Sequence, residues 1–225
     1  MKFSGIQKTS LADYPNHVAS VLFTPGCNLR CPFCRNWRIV VDPGPPFLSE
    51  EDAIRILETR RRFIDSVVVT GGEPTIHRDL PDFLKKLKAL GFRVKLDTNG
   101  LNSDMLKQCL PNLDYVAVDV KTSLKKYVQL GSTETTELLR TMEILKTGIV
   151  DYEFRTTVVP RFVDEDDINE ICNLIKGART FALQQYVAED TLSREWTTVK
   201  PYPSEVLSVF GETAKRYVET VVLRA

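Results

Sequence analysis

No stretch of this 225-residue chain is long or apolar enough to span a bilayer. The opening Met1-Lys2-Phe3-Ser4-Gly5 also lacks the apolar run of a secretory leader. An excess of either charge is absent too. Thirty basic residues balance thirty acidic ones, so no net field draws the chain to nucleic acid or an anionic membrane. There are only two histidines and five cysteines. Without an export signal, clustered thiols point to a reducing, cytoplasmic setting in which they bind metal more often than they form disulfides. No internal repeat, low-complexity segment or interdomain linker interrupts the chain, and 225 residues suit a single domain.

What is present is alternation. Strand-like β-branched runs occupy 18–23, 66–70, 93–97, 114–119, 152–159 and 180–186. Helix-like patterns at 50–62, 80–90, 104–110, 135–146 and 165–176 separate them. A last helix is expected over about 204–217, followed by an apolar tail at 221–223 that can add an edge strand. Ser49-Glu50-Glu51-Asp52 reads as a capping box, and residues 164–167 load negative charge onto a helix start. Gly91 and Gly177 stand where helices end. Strand–helix alternation implies parallel strands with right-handed crossovers. Six units are too few for an eight-fold barrel, so the expected fold is α/β, a partial (βα)6 TIM-like barrel or a curved open sheet. Residues 18–190 would form its core, 1–17 an N-terminal extension, and 191–225 a C-terminal helix and tail.

The densest chemistry is Cys27-x3-Cys31-x2-Cys34, at the C-terminal end of the first predicted strand, where parallel α/β folds gather ligands. Thiolates are soft ligands that suit zinc or iron–sulfur centres. Three readings compete. The cysteines are incidentally buried; or they form a closed zinc site whose fourth ligand is His17, His77, Cys109 or Cys172; or they hold an iron–sulfur cluster with one iron left open for a substrate. Cys172 shares helical spacing with Ile168, Ile171 and Ile175 and reads as core, as does Cys109 before Pro111.

Other strand ends carry matching chemistry. Gly71-Gly72-Glu73-Pro74 follows the second strand: the glycines allow close approach of a ligand, Glu73 offers a carboxylate to an ammonium, and Pro74 stiffens the exit. Asp97-Thr98-Asn99-Gly100 ends the third strand, although Asn99-Gly100 is equally a plain turn. Asp119 and Lys121 alternate at the fourth strand end and can share one cleft. Arg155, in a central strand, needs an anion if it faces inward. One of Gln184 and Gln185 should face the cleft and reach a nucleoside, while the other is structural.

With Phe33 just before its last cysteine, the Cys27-x3-Cys31-x2-Cys34 segment resembles the cluster motif of the radical S-adenosylmethionine (SAM) superfamily. That resemblance implies a radical SAM fold and a [4Fe–4S] cluster on Cys27, Cys31 and Cys34, whose open iron chelates SAM. The 71–74 segment is similar to the superfamily's GGE motif beside the methionine amino group. DTNG at 97–100 and Asp119-x-Lys121 resemble the glycyl-radical-activating branch, in which Asp-x-Lys grips the amino and carboxylate ends of SAM. The same branch implies a monovalent cation near Asp97, Thr98 and Asp119. The opening at 3–15, FSGIQKTSLADYP, resembles the long-form activating proteins of anaerobic ribonucleoside-triphosphate reductase. So do GGEPT, VKLDTNG, DYVAVDVK, YEFRTTVVP and LQQY, across effectively the whole chain. This implies an enzyme that leaves a glycyl radical on a partner and takes electrons from a flavodoxin or ferredoxin. The relatives commonly read Cys-His-Asn after the last cluster cysteine; Cys34-Arg35-Asn36 departs from that. Two other readings stand beside it. One is a small-molecule radical SAM enzyme of the 7-carboxy-7-deazaguanine synthase kind, and the other is a non-catalytic metal or electron-transfer module.

Overall fold

The structure is a computed structural model and describes residues 1–224. The chain groups into two compact units. The first comprises Met1–Asn28, Asn36–Thr98 and Asn102–Val116; the second comprises Leu29–Arg35, Asn99–Leu101 and the chain from Ala117 onward.

In the first unit, β1 (Lys2–Phe3), β2 (Gly5–Ser10) and β3 (Ala19–Thr24) open the chain, and α1 (Trp37–Val41), β4 (Leu48–Ser49) and α2 (Glu50–Thr59) follow. Then come β5 (Ser66–Gly71), α3 (Leu80–Ala89), β6 (Arg93–Thr98) and α4 (Ser103–Cys109). Four strands lie in the order β6-β5-β3-β2, with β3, β5 and β6 parallel and β2 antiparallel on β3. The antiparallel β2 was not legible as a strand. Its sequence, GIQKTS, is polar and half exposed, as suits an edge strand with one wet face. The central strands are dry on both faces: Val67, Val68, Val69, Val94 and Leu96 are wholly buried. Helix α3 closes over them with Leu80, Phe83, Leu84 and Leu87 at the i, i+3, i+4, i+7 spacing of one apolar face. The Ser49 hydroxyl caps α2 by accepting from Asp52 N–H at 3.1 Å, as its sequence implied.

The second unit holds β7 (Tyr115–Asp119) from Ala117 onward, α5 (Thr136–Lys146), β8 (Asp151–Val158), α6 (Glu165–Leu174), β9 (Thr180–Gln185), α7 (Ser204–Ala214) and β10 (Thr220–Arg224). Its strands run in the order β10-β9-β8-β7. β10 and β8 both lie parallel to β9, so the apolar tail does add an edge strand. Asp164 and Asp167 form a reciprocal capping box at the start of α6. That helix buries Ile168, Ile171 and Cys172 on one face, which makes Cys172 the core residue its spacing suggested. Gly91 and Gly177 take φ of +82° and +81° just past α3 and α6, the left-handed stops expected of them. Among the described residues no helix is long and apolar enough to cross a membrane.

Candidate functional site

In the first unit the parallel register sets Thr24 of β3 level with Gly71 of β5, so the loops that leave these strands start side by side. Gly72 N–H donates to Thr24 O, and Glu73 N–H donates to Gly26 O, both at 2.9 Å. A Cβ on Gly71 would lie 2.3 Å from Thr24 N, and one on Gly72 only 1.7 Å from Gly26 O. The glycines are therefore needed for the chain's own Thr24–Gly26 turn. This differs from the sequence reading, in which a ligand took that space. The turn in question delivers Cys27. Gly72→Ala should accordingly cost more than the usual ~1–3 kcal/mol of an overpacked site, because the obstacle is backbone. A thermal melt should show a fall of at least ~10 °C, and an unchanged melting point would contradict the close approach.

Glu73 is 1% exposed, and its Oε1 accepts from Thr75 N–H (3.0 Å), Thr75 Oγ1 (2.6 Å) and Thr98 Oγ1 (2.7 Å). This ties the 71–74 segment to the end of β6 within the same unit. Asp97 on β6 accepts from Lys95 Nζ at 2.5 Å, and Lys95 is itself 1% exposed. The burial of Lys95 is not legible in the sequence. A lysine alternating with apolar residues reads as the wet side of a strand, yet here the strand is dry on both faces and the amine is paired to Asp97 two residues on. Asn36 Nδ2 donates to Gly71 O at 2.9 Å, so the residue after Arg35 holds the 71–74 segment from the cysteine loop. Cys27 is half-buried.

The second unit carries the other two cysteines of the motif, Cys31 and Cys34. Cys34 N–H donates to Cys31 O at 3.0 Å, closing a turn that sets both thiols on one short loop. A segment after β9 straps this loop: Leu192 N–H donates to Cys34 O at 3.1 Å and Ser193 N–H to Pro32 O at 2.8 Å. Phe33 turns away into an aromatic cluster, 5.2 Å from Phe162 and 6.0 Å from Trp196 between ring centres. Arg35 is exposed and lies 3.7 Å from Glu189, a surface pair of little energetic weight.

At the end of β7, the Asp119 carboxylate accepts from Lys121 Nζ (2.9 Å) and from Arg155 Nε of β8 (2.8 Å). Arg155 thus has the anion that an inward arginine requires. Burial alone would raise the Asp119 carboxyl, but the positive charges of Arg155 and Lys121 outweigh it and hold the group well below the usual carboxylate range. Burial opposes the charged Lys121 amine as well, and the negative charges of Asp119 and Cys31 overcome it, raising the amine above its ordinary value. The buried Tyr127 hydroxyl accepts the Lys121 backbone N–H at 3.0 Å.

The β8–β9 register pairs Arg155 with Ala182 and Thr157 with Gln184, so Gln184 shares the face of Arg155. Gln185 pairs with Val158 on the opposite face, and its Nε2 donates to Tyr202 O at 2.8 Å, leaving a buried Oε1 with no hydrogen-bond partner. Asn99 Oδ1 accepts from Leu101 N–H at 3.0 Å, a side-chain turn that its Asn-Gly context suggested. Burial pushes the remaining thiols up, Cys109 to about 12 and Cys172 to about 11, which leaves both as core residues. His17 pairs with Asp65 at 2.6 Å. Among the described residues no three His, Cys, Asp or Glu side chains converge as ligands of a single ion would. Thiolates that each bind a different iron of one cluster need no such convergence.

Residues 21–175 match the family model described as the radical SAM superfamily. A Methanocaldococcus jannaschii protein named as a glycyl-radical enzyme activating enzyme is 34% identical over 98% of this chain and 95% of its own length. A Halobacterium salinarum 7-carboxy-7-deazaguanine synthase is 30% identical over 86% of this chain and 77% of its own. Among solved structures, Streptococcus suis SuiB bound to S-adenosylmethionine superposes with a TM-score of 0.68 at 17% identity, a likeness of fold alone. It covers 91% of this chain, which spans 52% of SuiB. A family model over most of the chain and a full-length relative agree on the assignment: the chain belongs to the radical SAM superfamily.

Proposed function

We propose that this enzyme cleaves SAM reductively and generates a glycyl radical on a partner enzyme, the anaerobic ribonucleoside-triphosphate reductase. The reading rests most on the relative named for glycyl-radical activation, which matches this chain from end to end. The Asp119–Lys121–Arg155 arrangement at one strand end adds to it.

The residues suit the groups the family implies. Three thiols within eight positions form a soft donor set, one short of the usual four. When bound, a [4Fe–4S] cluster on Cys27, Cys31 and Cys34 supplies the electron that splits SAM into methionine and a 5′-deoxyadenosyl radical. The chain's own residues do the orienting. Asp119 meets the SAM ammonium and Lys121 its carboxylate; Arg155 keeps Asp119 ionised and fixed. Gly71, Gly72, Glu73 and Pro74 shape the methionine end. Gln184, on the Arg155 face, reaches the nucleoside, while Gln185 is held by Tyr202 O. Phe33 backs the cluster loop, and the resemblance to the glycyl-radical-activating branch would carry a monovalent cation to Asp97, Thr98 and Asp119, with Asn99 shaping the turn that follows. With cluster and SAM in place, the chemistry supplied would be removal of the α-hydrogen of the partner's glycine, leaving 5′-deoxyadenosine and a glycyl radical, with the electron coming from a flavodoxin or ferredoxin.

The test is electron paramagnetic resonance of anaerobically reconstituted, reduced enzyme mixed with SAM and the reductase of the same organism. A glycyl-radical doublet on the partner is the expected result. The similarity to the Halobacterium salinarum synthase favours a second reading, a small-molecule substrate. A cluster signal that SAM perturbs, with no doublet and with a small-molecule substrate turned over by the protein alone, would replace the first reading by the second.

A further inference from the structure

Three consecutive backbone carbonyls leave the end of β3 just ahead of Cys27, and each accepts a hydrogen bond from one segment, residues 72–77. Thr24 O takes Gly72 N–H, Gly26 O takes Glu73 N–H, and Pro25 O takes the His77 ring, all at 2.9 Å. Gly26 N–H is used as well, donating to Ile39 O at 2.7 Å. Only the His77 bond in this set comes from a side chain. A carbonyl can only accept, so His77 Nε2 must carry a proton. His77 itself is fixed as the residue that ends the Pro74–Ile76 turn, with its N–H on Pro74 O at 3.1 Å. The turn begins at Glu73, whose carboxylate is bound to Thr75 and Thr98. One rigid stretch therefore shapes the 71–74 segment and also grips the turn that presents the first cysteine.

We propose that His77 is a positioning residue for Cys27, locking the Pro25–Gly26 turn so that the thiol is held ready for the cluster and moves as one body with the 71–74 segment. The inference rests on the reading of Cys27 as a cluster ligand. His77 has no part in ligation or in hydrogen transfer. Without its bond, Pro25 O loses this donor and the turn keeps its three backbone anchors, through Thr24 O, Gly26 O and Gly26 N–H. A hydrogen bond of this kind is worth roughly a three- to tenfold change in an equilibrium or release rate.

The test uses the reconstituted enzyme and two readouts apart from activity: the rate of iron release to a chelator, and the paramagnetic resonance spectrum of the reduced cluster without SAM. His77→Ala should release iron roughly three- to tenfold faster and broaden the spectrum. His77→Gln, which offers a nitrogen donor at a similar reach, should restore both. His77→Leu, which fills the volume but donates nothing, should behave like His77→Ala. A purely packing role predicts the opposite order, with His77→Leu rescued and His77→Gln not, and would overturn the proposal. Wild-type release and spectrum in His77→Ala would overturn it too. Ring nitrogen chemical shifts of wild-type His77 give a check that needs no variant: a neutral ring protonated at Nδ1 would also refute it. Cys27→Ala distinguishes the two layers of argument. Full iron content in that variant overturns the ligand reading, whereas lost iron together with an indifferent His77→Ala overturns only the role of His77.

Discussion

Cys31→Ala is expected to abolish 5′-deoxyadenosine formation from SAM, with activity falling by more than about 100-fold, since even outer-shell changes at metal sites cost about 10–100-fold. Cys27→Ala and Cys34→Ala should do the same. The reason is arithmetic as much as affinity. A set already one thiolate short of the usual four leaves two when any member is lost, and the loop bearing Cys31 and Cys34 has no other cysteine nearby to substitute. Cys31 is also the more buried of that pair, and its loop is strapped by Leu192 and Ser193, so a solvent ligand cannot simply replace it in a relaxed loop. The matched control is Cys172→Ala. That thiol is wholly buried in α6 with its ionisation suppressed, so its loss should cost about 1 kcal/mol of stability and leave the iron content unchanged. Iron and sulfide assays on the two proteins, beside chromatographic quantitation of 5′-deoxyadenosine, decide the matter. Retained iron and product in Cys31→Ala would remove this loop from the active centre.

The contrast between those cysteines shows what a sequence makes legible. Residues that form dry parallel strands announce themselves, because unbroken β-branched runs such as Val67-Val68-Val69 have few other uses, and every predicted strand appears within a residue or so of its place. Cys172 was readable for the same reason: its spacing with Ile168 and Ile171 is a helix period. Polar contacts between distant segments are different in kind. Nothing near Arg155 indicates that its anion is Asp119, 36 residues earlier; only the strand order brings them together. The same holds for Lys95, because a buried amine is legible only through its partner, here Asp97. Gly71 and Gly72 show a different limit, since a glycine reports that something comes close without saying whether that is ligand or backbone, and here the Thr24–Gly26 backbone is what comes close. The choice between Gln184 and Gln185 needed the register of β8 against β9, which no local pattern contains.

Asp119→Asn should be the most damaging substitution outside the cysteines. It removes one charge and leaves two like charges, Lys121 and Arg155, facing an amide that satisfies neither. Breaking a sealed ion pair from one side costs about 3–5 kcal/mol; Asp119 keeps 24% of its side-chain exposure, so about 2–3 kcal/mol is the better figure. Denaturant melts of the cluster-free protein should show a lower midpoint with an unchanged slope. The double variant Asp119→Asn/Arg155→Gln should recover part of the loss, because the second change withdraws one of the stranded charges. The pH dependence follows from the depressed Asp119 carboxyl. A group whose folded pKa lies below its unfolded value adds stability in full above the unfolded value, about 4, and loses it as pH falls toward the folded one. The gap between wild type and Asp119→Asn should therefore stay flat from about pH 5 to 8 and close below about pH 4. A gap that instead widened from neutral pH upward would place the titrating group elsewhere. SAM affinity should drop in parallel by about tenfold or more, the scale of one charged hydrogen bond lost. Asp119→Asn with normal SAM binding but reduced stability would leave the Asp119–Lys121–Arg155 cluster as a strut of the second unit and move the SAM ammonium to another carboxylate.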